Sequence, residues 1–457
     1  MTFETLRARI TEFADRTALV ADGHACSYQT LAEEVALRER AYREAGVGPG
    51  HVVTLIGDFS LAGLASLLAL LFCKATVIPL TRQAHAKLAP YVEALQPDFL
   101  IDTQTGAVHR AALPAVPALP AVPAAPAWRG VLPAVTGGLI VFTSGSTGAP
   151  KAIVHDIDAL CYRYLAPKPA LSAICFLLFD HMGGINTVLF LLFRGGTAIC
   201  LAQRKVDSVC QAVEQHGAQL LPTTPSFLSQ MLLADAFGRY DLRSLQVISY
   251  GTEVMSETVL KKLNTLLPAC TFKQTYGLSE TGVLQIKSRA NDSLWFRFID
   301  AGVESKIEDG VLWLKTRSNL LGRIVFGAAG PVLEAPQQGW FCTQDLVATD
   351  GDDLMILGRL SDIVNIGGLK VYPTEVEHCI QQLPFVDDVL VKGKKHPLLG
   401  QILTAHVLLN GGLAKADAET AIKRHCRTRL ERFKVPSQFI FDWENVVNDR
   451  FKRVRSA

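Results

Sequence analysis

Val141-Phe142-Thr143-Ser144-Gly145-Ser146-Thr147-Gly148-Ala149-Pro150-Lys151 is the most informative stretch of the chain. An apolar run, Leu139–Phe142, reads as a strand and leads into four small hydroxyl residues, two glycines and a lysine. Glycines let a backbone approach a phosphate closely, hydroxyls and amide N–H groups donate to its oxygens, and lysine adds charge. The G-x-x-x-x-G-K-[ST] spacing is absent, so this is a phosphate loop of another kind than the Walker A loop.

Working outward, the chain alternates strand and helix on both sides of this loop. Upstream, Thr17–Ala21 reads as a strand and Tyr28–Ala45 as a helix capped by Ser27. Residues 52–56 form a strand, 60–73 a buried helix and 76–80 another strand. This βαβ rhythm predicts a parallel sheet with covering helices. Residues 111–127, almost entirely Ala, Pro, Leu and Val, read as an extended connector. Downstream, strands are expected at Leu139–Phe142, Ile174–Leu178, Thr197–Leu201, Ala218–Leu221, Leu245–Ile248 and Thr271–Gln274, giving way to shorter β pieces at 310–315 and 353–358. From about Gly358 an α-β-β-α-β order begins (375–382, 387–391, 402–409, 416–430, 439–441). The fold class expected is α/β: a large N-terminal region of βα-layered sheets with a small barrel-like β portion, residues 1–357, and a small, mobile α+β domain, residues 358–457.

The bulk properties agree. A chain of 457 residues holds two or three domains at about 150 residues each and buries a core without metal or disulfide staples. The net charge of +2 argues against a nucleic-acid protein or a polybasic membrane binder. A mean hydropathy of +0.23 raises the membrane question. Yet the longest apolar run, Leu61–Cys73, falls short of the ~20 residues a spanning helix needs. The N-terminus lacks the apolar stretch of a signal peptide, and the ten cysteines form no C-x-x-C pair, several of them (Cys73, Cys175, Cys200) sitting in apolar runs. Reduced thiols in a cytoplasmic protein are the expectation.

Several motifs, taken in order, resemble the adenylate-forming superfamily: acyl- and aryl-CoA synthetases, adenylation domains of peptide synthetases, and beetle luciferases. Thr143 to Lys151 resembles its phosphate loop. Tyr276-Gly277-Leu278-Ser279-Glu280 resembles Y-G-x-T-E, and Gly339-Trp340-Phe341-Cys342-Thr343-Gln344-Asp345 resembles G-W-x-x-T-G-D. Gly358-Arg359-Leu360-Ser361-Asp362, followed by Gly367-Gly368, resembles the hinge and its following loop. The resemblance covers nearly the whole chain. It implies ATP and Mg²⁺ as cofactors and CoA or a carrier-protein phosphopantetheine as thiol co-substrate. It implies ATP contacts from Thr143, Ser144, Gly145, Ser146, Thr147, Gly148 and Lys151, an adenine wall of Gly251, Thr252, Glu253, Tyr276 and Gly277, a phosphate contact from Ser279, a Mg²⁺ ligand in Glu280, a ribose acceptor in Asp345 and a phosphate or ribose contact from Arg359.

Lys452, in Asn448-Asp449-Arg450-Phe451-Lys452-Arg453-Val454-Arg455, takes the place of the family's catalytic lysine, with Phe451 where glycine is usual. Gln344 likewise replaces a glycine, and Ser361 stands where the family hinge carries Asp or Lys. Phe179-Asp180-His181-Met182-Gly183-Gly184 resembles the segment beside the acyl pocket. It assigns His181 to the substrate carboxylate and places Met182 and Gly183 at the pocket. Met182 in the slot where amino-acid-activating relatives carry Asp favours a fatty, aryl or other non-amino acid, because an ammonium would lie unpaired against an apolar wall. A one-residue shift would put Asp180 there and reverse that preference.

The function implied is formation of an acyl-adenylate with release of pyrophosphate, then transfer to a thiol. A chain of this length without a carrier domain of its own suits the loading of a separate acyl carrier protein. The alternatives are a stand-alone amino-acid adenylation enzyme and, in a different class, a non-catalytic nucleotide-binding relative. No membrane span and no nucleic-acid partner are expected.

Overall fold

The computed structural model describes residues 2–110, 127–132, 136–143, 149–316, 320–327, 330–334, 339–396 and 400–441. These form two compact units, one built from residues 1–222, 277–284 and 316–339, the other from 223–276, 285–315 and 340–457. Of the connector expected at 111–127, residues 111–126 lie outside the described residues, and Ala127 opens a short 3₁₀ turn.

At the centre of the first unit is an eight-stranded sheet. Its inner strands Gly138–Thr143, Thr76–Leu80, Val52–Ile56 and Phe99–Asp102 run parallel in that order. Every residue of 52–56 and of 76–80 is buried. Strands covered on both faces read as continuous apolar runs, as these do. The helix Leu61–Phe72 buries ten of its twelve residues, is capped by Ser60, and is too short to span a bilayer. No helix among the described residues is long and apolar enough to cross a membrane. A second sheet pairs Ser172–Ile174, Thr197–Ile199 and Thr17–Ala21 in parallel, with His24–Ser27 returning as a hairpin. The N-cap expected at Ser27 is present: its hydroxyl accepts from the Thr30 amide, and the helix runs Tyr28–Glu44.

Two strands are shorter than the sequence suggested, and the expected Thr197–Leu201 ends at Ile199. The expected strand Ile174–Leu178 stops at Ile174, because the chain there turns into the segment that starts the next helix. Buried apolar character at Cys175 and Phe176 comes from packing, and period cannot separate a packed turn from a buried strand.

The second unit contains a parallel strand pair, Val247–Tyr250 and Thr271–Gln274, with helices Pro225–Leu233 and Glu257–Leu266. It also contains the β-rich portion, a six-stranded sheet of order Ile286–Ser288, Phe296–Phe298, Asp353–Arg359, Trp340–Asp350, Val311–Thr316, Val303–Glu308. The small α+β domain completes it. The long hairpin Val386–His396 and Gly400–Leu409 is flanked by helices Pro373–Gln381 and Lys415–Arg427, and Gln438–Ile440 pairs parallel to the second hairpin strand. Val376, Ile380, Val389, Val391, Leu403 and Ile422 are at most 1% exposed and form its core. Each such side chain contributes about 1.5–3 kcal/mol by leaving water.

All ten cysteines are free thiols and seven are buried, Cys73 and Cys175 of the apolar runs among them, whereas Cys200 is half-buried.

Candidate active site

In the first unit, Thr143 and Lys151 are register partners in the antiparallel strands Gly138–Thr143 and Lys151–Asp156. Lys151 is the first residue of its strand. Ser144, Gly145, Ser146, Thr147 and Gly148 lie outside the described residues.

A second hairpin carries Glu280. Its strands are Tyr276–Leu278 and Gly282–Leu284, and Ser279 and Glu280 sit half-buried in the turn. Thr281 closes that turn: its hydroxyl accepts from the Leu278 amide and donates to the Gly282 carbonyl, both at 3.0 Å. Gly277 is glycine for a steric reason, since a Cβ there would lie 2.2 Å from the Gly282 carbonyl oxygen. Arg163 braces the return strand by donating to the carbonyls of Val283 at 2.6 Å and Thr281 at 3.3 Å. Sequence reasoning missed Arg163, which lies far away in the chain and carries no local signal.

His181 is the N-cap of the helix Met182–Leu192, its Nδ1 accepting from the Gly183 amide at 3.1 Å. Asp180 and Met182 are each 2% exposed, so both rivals for the amine slot are buried. At Gly183 a Cβ would fall 2.6 Å from Leu177 Cδ1.

In the second unit Asp345 is the centre of a connected polar cluster. Trp313 pairs with Cys342 and Val311 with Leu346, so Thr343, Gln344 and Asp345 together oppose the single residue Leu312. This is a β-bulge, which re-aims a side chain at the cost of a ladder interruption. Thr343 stitches it: its hydroxyl donates to the Leu312 carbonyl at 2.7 Å and accepts from the Asp345 amide at 3.0 Å. Gln344 has φ +61°, in the left-handed region. Asp345, 5% exposed, accepts from the Tyr276 hydroxyl at 2.6 Å and from Arg359 Nε at 3.1 Å. Arg359 stands directly across from it in the next strand. Burial pushes the Asp345 carboxyl above its ordinary value, opposed by Arg359 and the Tyr276 hydroxyl. Burial and the facing carboxylate push the Tyr276 phenol up.

The Tyr276 ring stacks on Phe296 at 5.7 Å and meets the edge of Phe298 at 5.8 Å. Gly251 follows the strand Val247–Tyr250, and a Cβ there would lie 2.3 Å from Thr275 Oγ1. Thr252 has φ +72°. Glu253 accepts from the Ser226 hydroxyl at 2.6 Å and from its amide at 3.2 Å, tying this turn to the first turn of the helix Pro225–Leu233. Ser361 is exposed in a short 3₁₀ turn, and its hydroxyl lies 3.2 Å from Asp362. Thus Tyr276, Asp345 and Arg359 are brought into one cluster. Lys452 and Phe451 lie outside the described residues.

The AMP-binding enzyme family matches residues 6–295, and the AMP-binding enzyme C-terminal domain matches residues 375–444; the chain belongs to the AMP-binding enzyme family. It is 27% identical over 333 residues to the long-chain-fatty-acid–CoA ligase FadD13 of Mycobacterium tuberculosis, covering 66% of this chain and 63% of that one. The match thus spans less than two thirds of that ligase. Feruloyl-CoA synthase of Amycolatopsis sp is 29% identical over 467 residues, covering 95% of this chain and 93% of that one. Among solved structures, a variant of E. coli MenE with bound OSB-AMS shares the fold at TM-score 0.73 and 21% identity, covering 95% of this chain and 94% of that one. The anthranilate CoA ligase AuaEII in complex with anthranoyl-AMP does so at TM-score 0.75 and 16% identity, covering 97% and 94%.

Proposed function

We infer that this protein activates a non-amino carboxylic acid with ATP, forming an acyl-adenylate and pyrophosphate, and passes the acyl group to the thiol of CoA. The observation that carries the reading is Asp345, a carboxylate fixed by Tyr276 and Arg359 in the motif order of the family, where a diol such as ribose has a ready acceptor. Curated relatives named as fatty-acid and feruloyl CoA ligases support both a non-amino acid and CoA as acceptor.

In this reading the carboxylate of the acid attacks the α-phosphorus of ATP and pyrophosphate leaves. Such a step needs alignment and neutralisation of charge more than covalent help from the protein. Lys151 and the loop 143–148 hold phosphate oxygens, Ser279 contacts the α-phosphate, and Lys452 bridges carboxylate and phosphate. Gly251, Thr252, Glu253 and Gly277 wall the adenine with Tyr276, and His181 lies beside the acid.

Among the described residues no group of three or more His, Cys, Asp or Glu side chains is gathered to hold a metal. That fits Mg²⁺, which keeps water and nucleotide oxygens and needs only one or two protein carboxylates. Glu280 would be that carboxylate, and the ion would neutralise phosphate charge. Residues 358–457 would move as a domain about Ser361 between the two half-reactions.

The test is pyrophosphate release with fatty, aromatic and amino acids, with CoA or a phosphopantetheinylated carrier protein as acceptor. Release with a fatty or aromatic acid and thioester formation on CoA are expected. Turnover restricted to amino acids overturns the acid class, acylation of the carrier alone overturns the acceptor, and no release with any acid makes the chain a non-catalytic relative.

A further inference from the structure

A three-residue turn in the first unit holds two separate pieces of the candidate site. The strand Lys151–Asp156 runs directly into the short helix Ile157–Cys161, capped by Asp156, whose carboxylate accepts from the Ala159 amide at 2.9 Å. The chain then makes the 3₁₀ turn Tyr162–Tyr164. From this turn Tyr164 and Arg163 reach different partners.

Tyr164 is fixed to the helix Met182–Leu192, whose N-cap is His181. It is 4% exposed, its hydroxyl donates to Asn186 Oδ1 at 2.8 Å, and its ring meets Phe193 with centroids 5.5 Å apart. Burial pushes the phenol up, so it keeps its proton and remains a donor. Arg194, just beyond the same helix, adds a further tie by donating to the Phe190 carbonyl at 3.1 Å and to the Ala166 carbonyl at 3.4 Å. The segment 162–166 is thus stitched to the helix that His181 heads.

Arg163 reaches the hairpin that carries Ser279 and Glu280. Its contacts with the carbonyls of Val283 and Thr281 bracket Gly282. There φ is +66°, and a Cβ would lie 2.8 Å from Arg163 Nη1. The guanidinium therefore occupies the space that a side chain at 282 would need. Donation from one planar, charged fork to two carbonyls fixes an orientation as well as a distance. The hairpin has reason to need this support. Its sheet has two strands among the described residues, and a two-stranded hairpin alone is marginal in water. The helix Met182–Leu192 also packs on its second strand, Gly282–Leu284.

We propose that Arg163 and Tyr164 are positioning residues for the adenylation step. The turn that carries them sets the spacing between His181, on the side of the acid, and Ser279 and Glu280, on the side of the phosphates. This rests on the acid-activating function above. Neither side chain touches a reacting atom in this role. Their effect is on alignment, where a misplacement of about 1 Å costs about a hundredfold in rate.

The experiment compares Arg163→Met, Arg163→Lys and Tyr164→Phe in the full chain. It measures pyrophosphate release with ATP, Mg²⁺ and an accepted acid, thioester formation from preformed acyl-adenylate and CoA, and hydrogen exchange of the peptide spanning 277–284. In Arg163→Met, kcat for pyrophosphate release falls about tenfold or more while KM for the acid stays within about twofold. Thioester formation from preformed adenylate is maintained, and exchange rises in 277–284 but not in peptides distant from the turn. Arg163→Lys, which keeps a cationic donor, recovers part of the lost rate. Tyr164→Phe keeps the ring on Phe193 and loses only the bond to Asn186, and it shows the same split between half-reactions at about threefold. Should Arg163→Met fail to fold, the other two variants carry the same test. Equal losses in both half-reactions overturn the proposal and leave a role in folding alone. Unchanged pyrophosphate release, or unchanged exchange in 277–284, by a folded Arg163→Met also overturns it. An active wild type matched by its variants sinks this inference alone, whereas turnover of no acid by the wild type overturns the activity and this inference with it.

Discussion

The Tyr276 hydroxyl donates to Oδ2 of Asp345 at 2.6 Å, joining residues 69 positions apart into one buried pair. The two belong to separate sequence motifs, and their contact joins those motifs into one cluster. Arg359 donates to the other carboxylate oxygen, so each oxygen of Asp345 has a partner.

Tyr276→Phe removes a donor from a buried carboxylate and leaves the ring packing on Phe296 intact. A loss of about 1–3 kcal/mol in stability is expected by urea unfolding, together with a raised KM for ATP. A variant as stable as wild type would show that the hydrogen bond has no net worth.

The charge on Asp345 also sets a pH dependence. Burial raises its pKa, so the folded state binds the proton more tightly than the unfolded chain. The contribution to stability is then full below the ordinary aspartate range and is lost as pH rises through the raised folded value. Arg359 opposes the rise. Arg359→Met should therefore shift the folded value further up and destabilise more at about pH 8 than at about pH 4. Denaturant titrations showing the same loss at both pH values would contradict this.

Gln344 occupies a left-handed conformation that costs a non-glycine residue about 1–2 kcal/mol. Gln344→Gly should raise the thermal midpoint, by less than that full amount because glycine gains freedom in the unfolded chain. Gln344→Val should lower it, since a β-branched side chain tolerates this backbone least. Scanning calorimetry of the two variants checks the opposite signs.

For Lys452, the assigned role predicts a split between half-reactions. Lys452→Ala should nearly abolish acyl-adenylate formation and leave thioester formation from preformed adenylate largely intact. Equal losses in both steps would reject the role.

Rotation about Ser361 predicts the reverse split. A proline there fixes φ near about −65° and limits the swing. Adenylate formation should survive in Ser361→Pro while thioester formation falls. Unimpaired thioester rates, read by single-turnover assay, would place the pivot elsewhere.

Much of this is legible in the order of residues along the chain. Gly251 and Gly277, which the family resemblance places at the adenine wall, each sit where a Cβ would strike a neighbour. Local periodicity also locates the helix Tyr28–Glu44 with its Ser27 cap and the strand Thr271–Gln274. These features are determined over a few residues, by side-chain alternation, capping hydrogen bonds and the absence of a Cβ.

What the sequence by itself determined is therefore the kind of protein: a βα-layered nucleotide enzyme family with its motifs in order. The tertiary structure decided the partnerships. That Thr343 stitches a bulge, that Gln344 takes up a left-handed backbone in place of glycine, that Arg163 braces the Glu280 hairpin from more than a hundred residues away, and that Asp345 and Arg359 stand across from each other all depend on strand register. Register is a long-range property, set when distant segments pair and bury a common face, and no local stretch of chain contains it.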